Sequence, residues 1–356
     1  MKPQRKMKPQ RIAKQAPVAP FLFSCQRLRM SETYRAALCT SLTGPASIQI
    51  QDVPRALLNP VEVRIGVRAA GLNFPDLLMT YGRYQFRPEP PFVPGMEVAG
   101  VVLDCDEASG LRIGDPVMAG VKGGGFAEEI IVPASSIRPL PPALSFEEGA
   151  CWRAASVTAW HALNDKAAVN ASEHVLVLGA RGGVGMAAVM LGKYRGAIVI
   201  GTASTPEKRS AVLAAGADHA LDPADPDLAV TVKALTKGQG ADVIFDPVGG
   251  DLAITATRAI AYGGRYLIVG FASGAIPSFP ANHAMIKGYS LIGLRAGESS
   301  RRDAVLAAKT DQALANLASQ GIMRPHISHS FSLDQAADAL RALEQRRVIG
   351  RAVITL

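Results

Sequence analysis

The sequence predicts an α/β protein in which a doubly wound parallel sheet is inserted into a β-rich domain. Three observations lead there. Between residues 174 and 272, strand-sized apolar segments alternate with helix-period stretches, the spacing of parallel strands joined by crossover helices. Before residue 140 the pattern differs: short β-like runs at 47–52, 61–69, 98–103, 116–119 and 129–132 are broken by glycine and proline. After Gly297 the alternation stops, and a helix near 301–319, a strand at 327–331, a helix near 333–345 and a strand at 351–356 are expected to return to the first domain. The expected organisation is a basic leader (1–30), the first part of the β-rich domain (31–154), the inserted sheet (155–296) and the returning segment (297–356).

A chain of 356 residues that is 48% hydrophobic and 19% charged can bury a core of about two domains. Its formal charge of +8 suggests nucleic acid until the charges are located. Eight of the 38 bases precede Met30, where there is no acid, which leaves 30 bases against 30 acids. The body is therefore neutral and nucleic-acid binding is not expected. The leader, with prolines at 3, 9, 17 and 20 and Ser24 as its only serine, reads as an unstructured extension rather than an amphipathic presequence. Cys25, Cys39, Cys105 and Cys151 are too scattered for a structural zinc site and point to reduced thiols, hence a cytoplasmic location. No apolar run approaches the roughly 18 residues of a membrane helix.

Within the inserted region, strands are expected at 174–180, 197–203, 219–222, 241–246, 266–272 and 290–294, with helices at 183–194, 206–216, 228–237 and 252–262. A glycine-rich turn joins the first strand to the first helix. Gly179 permits the tight turn, Gly182 and Gly183 remove side chains where backbone must approach a pyrophosphate, and Gly185 lets the helix pack close to the sheet. With Ala180 and Val184, these residues form the expected dinucleotide site. The second strand ends in Thr202, Ala203, Ser204 and Thr205, where an acid would bind the ribose hydroxyl of NAD and repel a 2′-phosphate. None is acidic, and Ser204 and Lys208 can donate to a phosphate, so NADPH is favoured over NADH. The loops after the fourth and fifth strands, carrying Val248 and then Gly270, Phe271 and Ala272, should border the ribose and nicotinamide.

Residues 33–356 resemble the medium-chain dehydrogenase/reductase superfamily, and most closely its zeta-crystallin-like quinone oxidoreductase branch. The resemblance is carried by GLNFPD at 71–76, GRY at 82–84, PFVPGMEVAG at 91–100, the glycine turn, DPVGG at 246–250, GFASG at 270–274 and GRAV at 350–353. It implies a GroES-like catalytic domain enclosing a Rossmann domain, commonly assembled as a homodimer. Zinc-dependent members would carry cysteine where this chain has Asn73 and histidine where it has Met96; neither an amide nor a thioether suits zinc, so no metal is expected. Without that Lewis acid, the substrate must already be electrophilic: a quinone, or an activated alkene such as an enal, enone or enoyl-thioester.

Asn73 is the candidate for orienting nicotinamide or substrate, and Tyr84 for hydrogen bonding or proton supply, although a half-buried packing tyrosine is the alternative. Thr158 matches a family position near the nicotinamide amide, with a purely structural threonine as the alternative. The chain departs from relatives at Leu78 and at Leu221-Asp222-Pro223, where tyrosines occur, so Lys208 is expected to carry more of the NADPH selection, with Arg209 or Arg181. Arg181 either touches phosphate or points to solvent. The histidines offer no obvious constellation. Three functions follow: an NADPH:quinone oxidoreductase, an NADPH-dependent alkene reductase, or a weakly catalytic NADPH-binding protein.

Overall fold

The computed structural model describes residues 32–356, so the expectations for the leader lie outside the described residues. The described residues begin with an antiparallel pair, β1 (Thr33–Cys39) and β2 (Ile48–Pro54), followed by β3 (Glu62–Gly71) and the short α1 (Phe74–Thr80). Next come β4 (Glu97–Cys105), β5 (Pro116–Gly120), β6 (Glu129–Pro133) and β7 (Ile137–Pro139). The long α2 (Phe146–Trp160) begins at a reciprocal cap in which the Ser145 hydroxyl accepts the Glu148 N–H (3.2 Å) and the Glu148 carboxylate accepts the Ser145 N–H (2.9 Å). It runs on into a π-helical turn, His161–Lys166.

The alternating region follows: β8 (His174–Val177), α3 (Gly183–Tyr194), β9 (Ile198–Thr202), α4 (Pro206–Ala214), β10 (His219–Leu221), α5 (Leu228–Leu235), β11 (Ala241–Asp246), α6 (Gly250–Ala259) and β12 (Ile260–Ile268). A short α7 (Ala281–Lys287) leads to β13 (Ser290–Gly293). These strands form one six-stranded parallel sheet, ordered β10-β9-β8-β11-β12-β13. Its central strands are apolar on both faces because helices cover both: Val175, Leu176, Val177, Val243, Ile244 and Phe245 are fully buried. Strand order reverses between β8 and β11, which puts the binding crevice of such a sheet beside the turn that leaves β8.

The single helix expected near 301–319 is two, α8 (Ala296–Arg302) and α9 (Ala304–Ser319). Asp303 interrupts it because its carboxylate accepts the Leu306 N–H (2.8 Å) and so caps a new helix. The chain then forms β14 (Ile327–Ser332), α10 (Ala336–Glu344) and β15 (Arg351–Thr355). The last strand lies antiparallel to β3 and parallel to β14, completing a seven-stranded sheet with β4, β5, β6 and β7. This return delivers the C-terminal residues to the crevice. β13 is an edge strand, and Tyr262, Met285, Ile286 and Leu291 stand exposed near it.

Candidate active site at the sheet crevice

The glycine turn after β8 is braced from both sides. The Thr202 hydroxyl accepts the Gly179 N–H (3.0 Å), and the Thr202 carbonyl accepts the Ala180 N–H (3.0 Å). Gly179 sits at φ 57, the left-handed region that favours glycine, and a Cβ on Gly185 would lie 2.5 Å from the Gly179 carbonyl oxygen. Gly182 is different: a Cβ there would meet only the Gly179 oxygen at 3.6 Å, so its face is open. The first helical bond of α3 runs from Met186 N–H to Gly182 C=O (2.8 Å), which leaves the N–H groups of Gly183, Val184 and Gly185 without a helical partner. Open backbone next to unpaired donors at a helix N-terminus fits a pyrophosphate. Val248 closes over Gly179, while Phe271 and Ala272 are exposed at the carboxyl end of β12.

Beside the turn, three cations gather. The Arg181 guanidinium donates to the Val348 carbonyl (2.5 Å), and the Gly350 N–H donates back to the Arg181 carbonyl (2.6 Å), which pins the C-terminal segment to the turn. Lys208, on α4, donates to the carbonyl of Arg346 (3.3 Å). Burial and the Arg346 charge lower the Arg181 pKa; burial, Arg181 and Arg346 lower that of Lys208, with Glu207 opposing. The three therefore share one positive field. Ser204 is exposed at the end of β9 nearby, whereas Arg209 is occupied by the Asp222 carboxylate (2.9 Å) and the Ala203 carbonyl (3.1 Å). Arg346 is itself an arginine at φ 55.

On the opposite wall, Asn73 caps α1 and joins a buried ionic network. Its amide donates to Glu97 Oε2 (3.0 Å), and its Oδ1 accepts from Arg351 Nη1 (2.8 Å). Glu97 Oε2 also accepts from Arg351 Nη2 (2.7 Å), while Oε1 accepts the Ala154 N–H of α2 (2.6 Å). Both carboxylate oxygens of Glu97 are thus taken. A guanidinium fills the place a cation would need, Met96 and Asn73 are poor zinc donors, and no cluster of three His, Cys, Asp or Glu able to hold a metal exists among the described residues. The residues present do not fit a metal. The stem of Arg351 lies where a Cβ on Gly183 would be, 2.3 Å away, so the same side chain touches the turn and the network.

Two more groups surround it. Cys151 is buried, and burial pushes its thiol up to about 11 against the pull of Arg351. Asp76 is completely buried; its carboxylate accepts the N–H groups of Asn73 (2.8 Å) and Gly95 (3.1 Å), yet desolvation raises its pKa to about 7. A carboxyl raised in the fold contributes stability that is complete below its ordinary pKa and is lost as pH rises through the folded value. The difference in unfolding free energy between wild type and D76N is therefore expected to shrink from about pH 4 to about pH 7. Urea titrations across that range check it, and a pH-independent difference refutes it.

The sequence-derived residues thus fall into groups. Gly179, Ala180, Gly182, Gly183, Val184, Gly185 and Val248 converge on the turn; Ser204 and Lys208 lie at its β9 side; Gly270, Phe271 and Ala272 follow β12. Thr158 lies on α2 one turn beyond Ala154, whose carbonyl accepts its hydroxyl (2.7 Å). Tyr84 is half-buried in the loop after α1, and no structural contact ties its hydroxyl to the network. Reasoning from sequence missed Arg351, though a lone arginine opening the apolar strand Ala352-Val353-Ile354 signals a buried partner. It also missed Arg346, for which the sequence carries no signal, and the pair His161–Asp165, whose i, i+4 spacing was legible.

Residues 59–142 match the alcohol dehydrogenase GroES-like domain and residues 183–310 the zinc-binding dehydrogenase domain. The chain is 36% identical to the quinone oxidoreductase-like protein 2 homolog of Nematostella vectensis, over 97% of each chain. The chain belongs to the medium-chain dehydrogenase/reductase superfamily, in its zinc-free quinone oxidoreductase branch. Among solved structures of this family, a probable oxidoreductase from Mycobacterium abscessus superimposes with a TM-score of 0.84 at 36% identity, covering 91% of this chain and 100% of that one. A mycobacterial protein complexed with NADPH superimposes with a TM-score of 0.84 at 26% identity, covering 91% and 100%. This medium-chain oxidoreductase thus combines a GroES-like and a Rossmann-like fold and takes an NAD(P)-type cofactor.

Proposed function

We propose that this oxidoreductase transfers hydride from NADPH to a quinone or a similarly electrophilic conjugated acceptor, without a metal, as a homodimer paired along the β13 edge. The observation that carries this reading is the Asn73–Glu97–Arg351 network. It occupies the cleft beside the dinucleotide turn with an internal cation, so no external Lewis acid is available to activate an unreactive alcohol or carbonyl. The acceptor must then bring its own electrophilicity. Cofactor choice rests on Lys208, Arg181 and Arg346, none of them in an ion pair with a carboxylate among the described residues, and on the hydroxyl of Ser204.

When bound, the reduced nicotinamide supplies the hydride. The turn residues would hold the pyrophosphate, and Val248, Gly270, Phe271 and Ala272 would flank the ribose and nicotinamide. Asn73 would act chiefly by position, since its amide is already committed to Glu97 and Arg351; Thr158 and Tyr84 are the candidate side chains left to face substrate. The test is anaerobic turnover of a panel of quinones and enals with NADPH and with NADH, identifying products. NADPH-preferring, chelator-resistant reduction is expected. Equal or better use of NADH overturns the cofactor assignment, and hydroquinone against saturated carbonyl as product separates the two acceptor classes.

A further inference from the structure

Residues 346–351 form a short segment that runs from the cation cluster to the buried network, fastened along its length. Lys208 Nζ donates to the Arg346 carbonyl (3.3 Å), and Arg181 Nη1 donates to the Val348 carbonyl (2.5 Å). The Ile349 N–H donates to the Ser328 hydroxyl (3.0 Å). The Gly350 N–H donates to the Arg181 carbonyl (2.6 Å), where Gly350 forms a parallel bridge with Gly182 of the turn. The Arg351 N–H donates to the His326 carbonyl (2.8 Å), and its guanidinium reaches Asn73 and Glu97. Both side chains that fasten the first half of the segment, Lys208 and Arg181, are cations, and they hold it beside a third, Arg346. None of the three is in an ion pair with a carboxylate among the described residues. Burial first, and then the charges of Arg181 and Arg346, hold Lys208 below its ordinary pKa, with Glu207 opposing; burial and Arg346 lower Arg181 in the same way. Arg346 also sits at φ 55, in the left-handed region that favours glycine. Like-charge repulsion and backbone strain both oppose the seat of the segment, and a dianion placed among the three cations removes the first.

We propose that residues 346–351 are a strap tightened by a phosphate dianion bound at Arg181, Lys208 and Arg346, and that the strap passes the effect to Arg351, the positioning residue of the opposite wall. The proposal rests on the NADPH reading above and deepens it: the 2′-phosphate serves hydride transfer as well as affinity. Binding energy from a remote group can be used to orient the reacting centre, so a cofactor that lacks the group loses kcat and not only affinity. Here the route is short. Arg351 holds Asn73 Oδ1 (2.8 Å) and Glu97 Oε2 (2.7 Å), while its stem lies against Gly183. A firmly seated Arg351 therefore fixes the wall that carries Asn73 relative to the turn that would hold the pyrophosphate.

Amide hydrogen exchange reads the strap without turnover. At saturation, 2′,5′-ADP is expected to slow exchange of the Arg351 N–H, and of the Ala154 N–H held by Glu97 Oε1 (2.6 Å), about fivefold more than 5′-AMP does, the lower end of ordinary coupling between sites. The Ala154 amide lies on α2 and follows the strap through Arg351 and Glu97. In turnover, kcat with NADPH should exceed kcat with NADH, and inorganic phosphate added to NADH should raise kcat about fivefold where sodium chloride of equal ionic strength does not. That arm separates free phosphate from the phosphate carried by the cofactor. I349G places a flexible residue between the cations and Arg351, and should keep wild-type affinity for 2′,5′-ADP while losing both effects. Equal exchange with the two nucleotides in the wild type overturns the proposal, as does NADH turnover indifferent to phosphate. If 2′,5′-ADP does not bind, the NADPH reading falls and the strap with it; if it binds without protecting Arg351 and Ala154, the strap alone falls. Should the wild type reduce neither acceptor class, the reductase reading fails and the exchange measurement still decides on the strap.

Discussion

Replacing Arg351 by methionine should lower the unfolding free energy by about 3–5 kcal/mol, because it strands a buried carboxylate. Glu97 and Arg351 are both 6% exposed, and among the described residues the guanidinium is the only formal positive charge in contact with Glu97. In the variant, the Ala154 N–H and the Asn73 amide still donate to Glu97, but neither compensates a full charge taken out of water. The partner substitution E97Q removes the stranded charge, so the double variant E97Q/R351M should recover most of the loss. Urea unfolding of the four proteins gives the coupling directly. If R351M costs less than about 1 kcal/mol, the network does not carry the buried charge described. The same variant should leave α1 capped by Asn73, since the Asp76 contact to the Asn73 N–H does not involve the guanidinium.

That network explains the boundary between what the sequence makes legible and what it does not. Glycines at 179, 182, 183 and 185 follow from a local rule, strand then tight turn then helix, and every residue the rule needs is contiguous. The alternating rhythm likewise yields the parallel sheet, because crossover connections are short and their period is visible. The site across the crevice follows no local rule. It is built by Asn73 from the segment after β3, Glu97 from β4, Ala154 from α2 and Arg351 from β15, so its geometry appears only once β15 pairs with β3. Asn73 and Met96 could say that a metal was missing, but not what replaced it. β1 escaped notice because its stretch Thr33–Cys39 includes two alanines and an arginine, weak strand formers that tertiary pairing with β2 overrides. The break at Asp303 escaped notice because apolar period continues across it, although an aspartate three residues ahead of Leu306 is an ordinary cap signal.

The second large effect concerns cofactor choice. K208E/R346G is expected to raise KM for NADPH by about 10²-fold while changing NADH kinetics by less than about threefold, since a charge-assisted hydrogen bond contributes roughly 1.5–3 kcal/mol and only the 2′-phosphate makes these contacts. Both substitutions are compatible with the fold. Glutamate at 208 falls in the first turn of α4, where negative charge is favoured, and the Thr205 hydroxyl that caps the helix accepts from the backbone N–H of residue 208, not its side chain. Glycine at 346 removes a non-glycine residue from φ 55 and should hold or improve stability. Arg181 is left in place because its bond to the Val348 carbonyl ties the C-terminal segment to the turn, so its loss would mix anchoring with phosphate recognition. Recognition by these charges also depends on salt. The NADPH preference of the wild type should narrow as ionic strength rises, whereas the double variant, having lost two of the three cations, should show little salt dependence of that ratio. An unaltered NADPH-to-NADH ratio in K208E/R346G would mean that these cations serve the surface and not the nucleotide.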